Sequence, residues 1–136
     1  MFSYQRTAQY HETDQMGIIH HANYLKWMEE ARIAYLQSIG ISYAELEKQG
    51  IVSPVVDIHI AYRHPAHFAD RICIGIQAES YSGVRLVLRY EMTNAEGLVV
   101  ANAESTHCFQ RNGRIVSLKK ACPAVSEKLE QGLLDR

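Results

Sequence analysis

Between Glu12 and Arg32 the chain reads ETDQMGIIHHANYLKWMEEAR. Asp14 sits among turn-forming residues, Gly17 follows, and the adjacent pair His20 and His21 leads into a helical pattern. Glycine lets the backbone bend without a Cβ clash, so the chain can fold back over the helix start. Amides around His21, Ala22 and Asn23 then fall among the donors that a helix N-terminus leaves without intrahelical partners. Such donors polarise a carbonyl and hold the oxyanion developing on it, while a carboxylate attacks the carbon or activates water. The same spacing more often serves a plainer purpose. A turn aspartate commonly accepts hydrogen bonds from the amides that follow it, and adjacent histidines commonly face solvent. Spacing alone favours the plainer use.

Two further acids stand close. Glu12 lies just before the turn, and Glu29 lies two helical turns past the proposed donors, about 12 Å away at ~1.5 Å per residue. Glu29 reaches the same atom only if a neighbouring subunit brings it back. It is also three residues from Arg32, where a surface ion pair is worth ~0.2–0.5 kcal/mol. A metal site is not expected: His59, His64, His67 and His107 lack a carboxylate or cysteine at zinc spacing, and there is no HExxH. Cys108 falls on an expected strand and reads as a small buried residue. The GxSxG elbow of serine hydrolases is absent.

Elements that must position this turn are legible on either side of it. Phe2, Tyr4, Ala8 and Tyr10 alternate with polar residues, as in a half-buried strand. From Ala22 the period lengthens: Tyr24, Trp27, Met28, Ala31, Tyr35 and Ile39 recur at three- and four-residue steps, and Gly40 supplies a stop. That predicts a helix of about five turns whose wide aromatic stripe packs on a sheet. Ser42 and Glu45 stand in capping-box positions for a second short helix ending at Gly50. Strand alternation then recurs at Val56–Tyr62, Ile72–Ala78, Val84–Met92 and Leu98–Gln110, and Asn112-Gly113 marks a hairpin. Pro123 fits the first turn of a final helix through Leu133. Tight turns imply antiparallel neighbours, so the fold class is α+β, with one long helix on a twisted antiparallel sheet of about five or six strands. One helix cannot cover such a sheet, so a homo-oligomer is expected to bury the remainder.

A chain of 136 residues, 47% hydrophobic and 21% charged, suits a single domain over 1–136. Net charge −1 and scattered basic residues give no nucleic-acid footprint. Three cysteines without a CxxC pair read as reduced thiols. No signal peptide or membrane-spanning run is visible, which points to a cytoplasmic protein.

The segment Tyr10–Arg32 resembles the signature of hotdog-fold acyl-CoA thioesterases of the 4-hydroxybenzoyl-CoA thioesterase type, in particular the small Tol-Pal-associated branch. That pattern runs roughly Y-x-E-D/T-D-x-x-G-x-V-Y-H-A-N/S-Y-x-x-x-x-E-x-A-R. Tyr10, Glu12, Thr13, Asp14, Gly17 and His21 match its first half, and Ala22, Asn23, Tyr24, Glu29, Ala31 and Arg32 its second. Further on, YRHPAHFADRICI resembles the Y-x-x-P-x-x-x-x-D segment through Tyr62, Pro65 and Asp70.

The resemblance implies a hotdog fold, an acyl-CoA substrate, no metal or organic cofactor, and a homodimer or homotetramer with sites at the subunit interface. It makes Asp14 the catalytic carboxylate, as nucleophile or general base. His21 becomes the oxyanion position, where the imidazole can also help. Gly17, His20, Asn23 and Tyr24 are expected to line the substrate site. His20 stands where the branch carries Tyr or another aromatic residue, and Met16 where it carries a small residue or Pro, so the acyl pocket is not copied from a relative. No motif marks the CoA phosphates; Arg63, Arg85 and Arg89 are candidates that surface charge explains better. A non-catalytic acyl-CoA-binding hotdog protein and a hotdog hydratase or dehydratase would share the fold. The hydratase needs a dehydratase-type motif that the sequence lacks.

Overall fold

In a computed structural model describing residues 1–136, the change of period at Ala22 is where the long helix starts. Helix α1 (Asn23–Ser38) is 16 residues long, a little short of five turns. Its inward stripe buries Tyr24, Trp27, Met28, Ala31, Tyr35 and Leu36. Each large apolar side chain so buried contributes roughly 1.5–3 kcal/mol. Gly40 ends the helix at φ +85°, and its amide bonds to the Gln37 carbonyl while the Ile41 amide bonds to that of Leu36. This paired closure satisfies carbonyls that the last turn would otherwise leave open, and it needs the left-handed backbone that glycine tolerates.

Helix α1 lies on a five-stranded antiparallel sheet. Strand β1 (Phe2–Thr7) precedes the helix. After it come helix α2 (Tyr43–Lys48), the short strand β2 (Ile51–Val52), then β3 (Val55–Tyr62), β4 (Arg71–Tyr81), β5 (Arg85–Thr93) and β6 (Val99–Cys108). Spatial order is β1-β4-β5-β6-β3, so the two edges are β1 and β3. Ile72, Ile74, Ile76 and Ala78 of β4 point inward, as do Leu86, Leu88, Tyr90 and Met92 of β5, and all are buried. A small second sheet joins β2 to the hairpin β7 (Gln110–Arg111) and β8 (Arg114–Ile115). The hairpin turns through Asn112 and Gly113, both at positive φ, as the Asn-Gly pair predicts. Helices α3 (Leu118–Ala121) and α4 (Pro123–Leu134) close the chain, with Pro123 in the first turn of α4. No helix is long and apolar enough to cross a membrane.

Three local expectations are corrected. Strand β1 stops at Thr7, and Tyr10 belongs to a 3-10 turn (Tyr10–Glu12) where it is exposed, because the chain must leave the sheet to reach the helix start. Val84 lies in the turn before β5 and is exposed. Glu29 and Arg32 make no surface bridge. Arg32 lies between buried Met28 and Tyr35 on the inward stripe, is only 6% exposed, and stacks over the Tyr43 ring at 5.5 Å. The α1 helix leaves β3 poorly covered: Ile58 and Ile60 are half-buried, and Val55, Val56 and Tyr62 are exposed.

Candidate active site

The loop between β1 and α1 is anchored by a buried acid. Glu12 is 4% exposed, and its carboxylate accepts from Arg6 Nη1 at 2.8 Å on both oxygens, from the Gln9 amide at 2.8 Å and from Trp27 Nε1 at 2.9 Å. The Arg6 guanidinium also lies 4.9 Å from the centre of the Trp27 ring. The Glu12 carbonyl accepts the His20 amide at 2.8 Å and the Asn23 side-chain amide at 2.9 Å. The Arg6 bonds tie the loop to β1, and the Trp27 and Asn23 bonds tie it to the first turns of α1. Those to Arg6, Gln9 and Trp27 use up the Glu12 carboxylate. Sequence reading missed Arg6, although it occupies an inward phase of the β1 alternation.

Asp14 follows on the part of the loop that Glu12 holds. Its Oδ1 accepts the Met16 amide at 2.8 Å and the Ile18 amide at 3.4 Å. Main-chain bonds from Asp14 to the Ile18 carbonyl and from Gly17 to the Asp14 carbonyl complete the turn, with Gly17 at φ +80°. A side chain other than glycine would be strained there. Asp14 thus does the ordinary work of a turn aspartate with one oxygen, while Oδ2 makes no hydrogen bond within the chain. Half-buried Asp14 keeps that second oxygen available.

At the helix start, the donors narrow to one. The Ala22 amide bonds to His20 Nδ1 at 3.1 Å, and the Asn23 amide to the His20 carbonyl at 3.0 Å. Only the His21 amide has no acceptor in the chain. His20 is therefore a structural cap as much as a lining residue, and Asn23 is fixed by its bond to Glu12. His21 is held from the far side, since Tyr62 Oη of β3 donates to its carbonyl at 3.0 Å. The His21 ring stacks on His20 with centroids 4.3 Å apart and meets the Tyr62 ring edge-on at 6.3 Å. Tyr24, 3% exposed, packs edge-on against Tyr62 at 5.1 Å, and burial pushes the phenols of both tyrosines up. Neither phenol therefore supplies a charge near neutral pH.

Asp14, His21, Tyr24, Tyr62, Arg63 and His64 lie together along one groove of ≈ 410 Å³. Gly17, His20 and Asn23 do not line it; the His20 and Asn23 side chains instead brace the loop and helix start beside it. Arg63 alone of the three candidate arginines reaches this groove; Arg89 pairs with Glu79 at 3.6 Å on the outer face. Glu29 lines a separate recess. No three His, Cys, Asp or Glu side chains converge in a way that could hold a metal ion. A free carboxylate oxygen and a free amide on one partly apolar groove are the two parts that acyl transfer from an ester or thioester requires.

The sequence pattern of the thioesterase-like superfamily matches residues 8–130. The chain belongs to that superfamily. Among superfamily relatives, the Bacillus subtilis protein YneP, provisionally named an acyl-CoA thioesterase, is 40% identical over 118 residues, 85% of this chain and 86% of its own. The 1,4-dihydroxy-2-naphthoyl-CoA hydrolase of Thermosynechococcus vestitus is 29% identical over 109 residues, 79% of this chain and 75% of its own. The crystal structure of a DHNA-CoA thioesterase from Staphylococcus aureus superimposes with a TM-score of 0.92 at 32% identity, over 95% of this chain and 88% of that one. The chain thus has the hotdog fold of these thioesterase neighbours, a long helix on a five-stranded antiparallel sheet.

Proposed function

We propose that this thioesterase-superfamily enzyme hydrolyses the thioester of an acyl-CoA, with Asp14 as the reacting carboxylate and the His21 amide as oxyanion donor. The observation that carries this reading is that Asp14 Oδ2 and the His21 N–H both lack partners in the chain and lie on the same groove. The thioester oxygen accepts the His21 N–H, which strengthens as charge develops there. In the nucleophilic route Oδ2 bonds to the carbonyl carbon, the C–S bond breaks, and the CoA sulfur leaves and takes up a proton. Water then cleaves the mixed anhydride and frees the carboxylic acid. In the general-base route Oδ2 takes a proton from the water that attacks.

Gly17, His20, Asn23 and Tyr24 shape the substrate groove in this reading, and Arg63 on its rim offers positive charge to the CoA phosphates. The motif from Tyr10 to Arg32 favours the 4-hydroxybenzoyl-CoA type, Tol-Pal-associated branch. No metal or organic cofactor takes part. The exposed edge of β3 is completed by a second copy, giving a homodimer or homotetramer in the cytoplasm with the groove beside the interface.

The test follows free-thiol release from short, long and aryl acyl-CoAs by wild type and Asp14→Asn. Asn keeps the Oδ1 acceptor of the turn, so the fold should survive while turnover drops ~10²-fold or more. An Asn variant as active as wild type would leave Asp14 a turn residue and move attention to Glu29. Binding of CoA esters without thiol release would make the protein a carrier.

A further inference from the structure

Three recesses run end to end along the seam between α1 and β3. The groove at Asp14 shares His21 and Tyr62 with a shallow apolar recess, and that recess shares Leu25, Val55 and Ile58 with a third of ≈ 220 Å³. The third has a polar, buried end. Tyr90 Oη and Ser105 Oγ lie 2.7 Å apart, and Ser105 Oγ lies 2.7 Å from His107 Nε2. Arg32 lines the same recess. Tyr90 and Ser105 are each 2% exposed, His107 is 1% exposed and Arg32 6%.

Two atoms at this end have no partner: Arg32 Nη1 and His107 Nδ1. A guanidinium cannot shed its charge, and leaving its N–H buried without an acceptor is expensive, so interiors seldom keep one. Glu29 and Lys26 also line the recess, but Arg32 forms no ion pair with either. Burial and the Arg32 charge hold His107 down at about 3, so its ring is neutral and Nδ1 is a donor or an acceptor according to tautomer. A hydroxyl is the small group that satisfies this pair in either tautomer. It accepts from Arg32 and either donates to or accepts from His107.

Two rulers give the reach. Arg32 lies eleven residues past His21 along α1, about 16 Å at ~1.5 Å per residue. On β6, Ala101 opposes Tyr62 and Ser105 opposes Ile58; four strand residues span about 13 Å at ~3.3 Å each. We infer that the seam is the acyl channel and that Arg32, His107 and Ser105 recognise a hydroxyl on the acyl group, about 13–16 Å from the thioester carbonyl. This selectivity rests on the thioesterase reading above and assigns these three residues to substrate choice, remote from the reacting atoms.

The experiment uses straight-chain acyl-CoAs of increasing length, each with and without a terminal hydroxyl, and measures kcat/KM for wild type, Ser105→Ala, Arg32→Lys and Arg32→Met. At the length that fills the channel, wild type should favour the hydroxylated ester by ~tenfold or more, because a site built around a hydroxyl rejects the analogue lacking it. Ser105→Ala and Arg32→Met should bring that ratio close to one while hydrolysis of the unsubstituted ester persists. Arg32→Lys should keep part of the preference. Calorimetric titration of matched non-hydrolysable thioether analogues into Asp14→Asn reads the same preference in Kd without chemistry, so it stands or falls independently of the catalytic assignment. Equal treatment of both members at every length, by hydrolysis and by titration, would overturn the inference and leave the recess to water. A change of oligomeric mass in Arg32→Met, with the hydroxyl preference untouched, would also overturn it and give Arg32 an acceptor on a second copy.

Discussion

Trp27 Nε1 donates to Glu12 Oε2 at 2.9 Å, which fastens the second turn of α1 to the loop that carries Asp14. The bond sits beneath the helix beside the Arg6 guanidinium, so the Arg6–Glu12 ion pair and the neutral Trp27 indole together hold the site from below. Glu12→Ala takes the doubly bonded acid from a mostly buried arginine, 14% exposed, and leaves it only Glu30 at 3.1 Å from Nε. Loss of such a partner costs about 3–5 kcal/mol. Urea unfolding of this variant should show that loss. A loss within ~0.5 kcal/mol of zero would mean that solvent replaces the pair.

Asp14 should separate stability from activity. Asp14→Asn keeps the acceptor for the Met16 amide, and its midpoint should match wild type within ~0.5 kcal/mol. Asp14→Ala removes the acceptor and should lose a further ~1 kcal/mol. Single-turnover hydrolysis in heavy-oxygen water followed by mass spectrometry then tests the anhydride route. Label in the peptide containing Asp14 marks an anhydride cleaved at the Asp14 carbonyl, and label confined to the released acid marks attack of water at the acyl carbon, by the general-base route or on the anhydride.

Tyr62→Phe should act on the oxyanion donor without touching the carboxylate. It deletes the bond to the His21 carbonyl, which fixes the peptide just after the free amide. The expected result is a fall of ~tenfold in kcat with KM changed less, since the positioned dipole matters most where charge develops. An unchanged kcat would show that the helix alone places His21.

Stability should fall on the acid side through His107. An unfolded histidine takes a proton near pH ~6.5, whereas folded His107 does so only at about 3. Between these values the unfolded chain binds the extra proton. Stability is therefore intact above pH ~6.5 and is lost as pH falls, by up to about 1.4 kcal/mol per pH unit. Tyr90 acts in the opposite sense at the alkaline end: burial raises its phenol to about 12, so stability is lost as pH rises above ~10. Urea titrations of wild type and His107→Leu between pH ~7 and ~5 should show the acid slope flattening by about one proton in the variant.

A second copy on β3 predicts that sedimentation will give a dimer or tetramer at micromolar concentration. Val56→Lys puts a charge on the exposed edge and should weaken association ~tenfold or more, while the helical circular dichroism stays unchanged. A wild-type monomer at every concentration would remove the shared interface from the proposal.

Most of the architecture was legible because periodicity reports which face of an element meets the core. Tyr24, Trp27, Met28, Ala31 and Tyr35 fell on the predicted stripe, and the alternating Ile72–Ala78 and Leu86–Met92 runs fell on the predicted inner face. Errors occurred where a side chain's partner lies far along the chain. Arg32 looked like the neighbour of Glu29 because i and i+3 are adjacent on any helix, but helix rotation turned it inward onto Tyr43. Glu12 read only as an acid near the turn because nothing in its own segment announces Arg6 or Trp27.

The sequence by itself determined the element types, the antiparallel order of turns, and a Tyr10–Arg32 motif that sets Asp14, Gly17 and His21 at fixed spacing. These follow from local sterics and the periods of helix and strand, which act within a few residues. Only the tertiary structure decided which amide stays free, which Asp14 oxygen is spent on the turn, and that a buried Arg32 faces His107 across the end of the α1–β3 seam. Those outcomes depend on hydrogen-bond partners and packing between segments tens of residues apart, and no local pattern encodes where such partners meet.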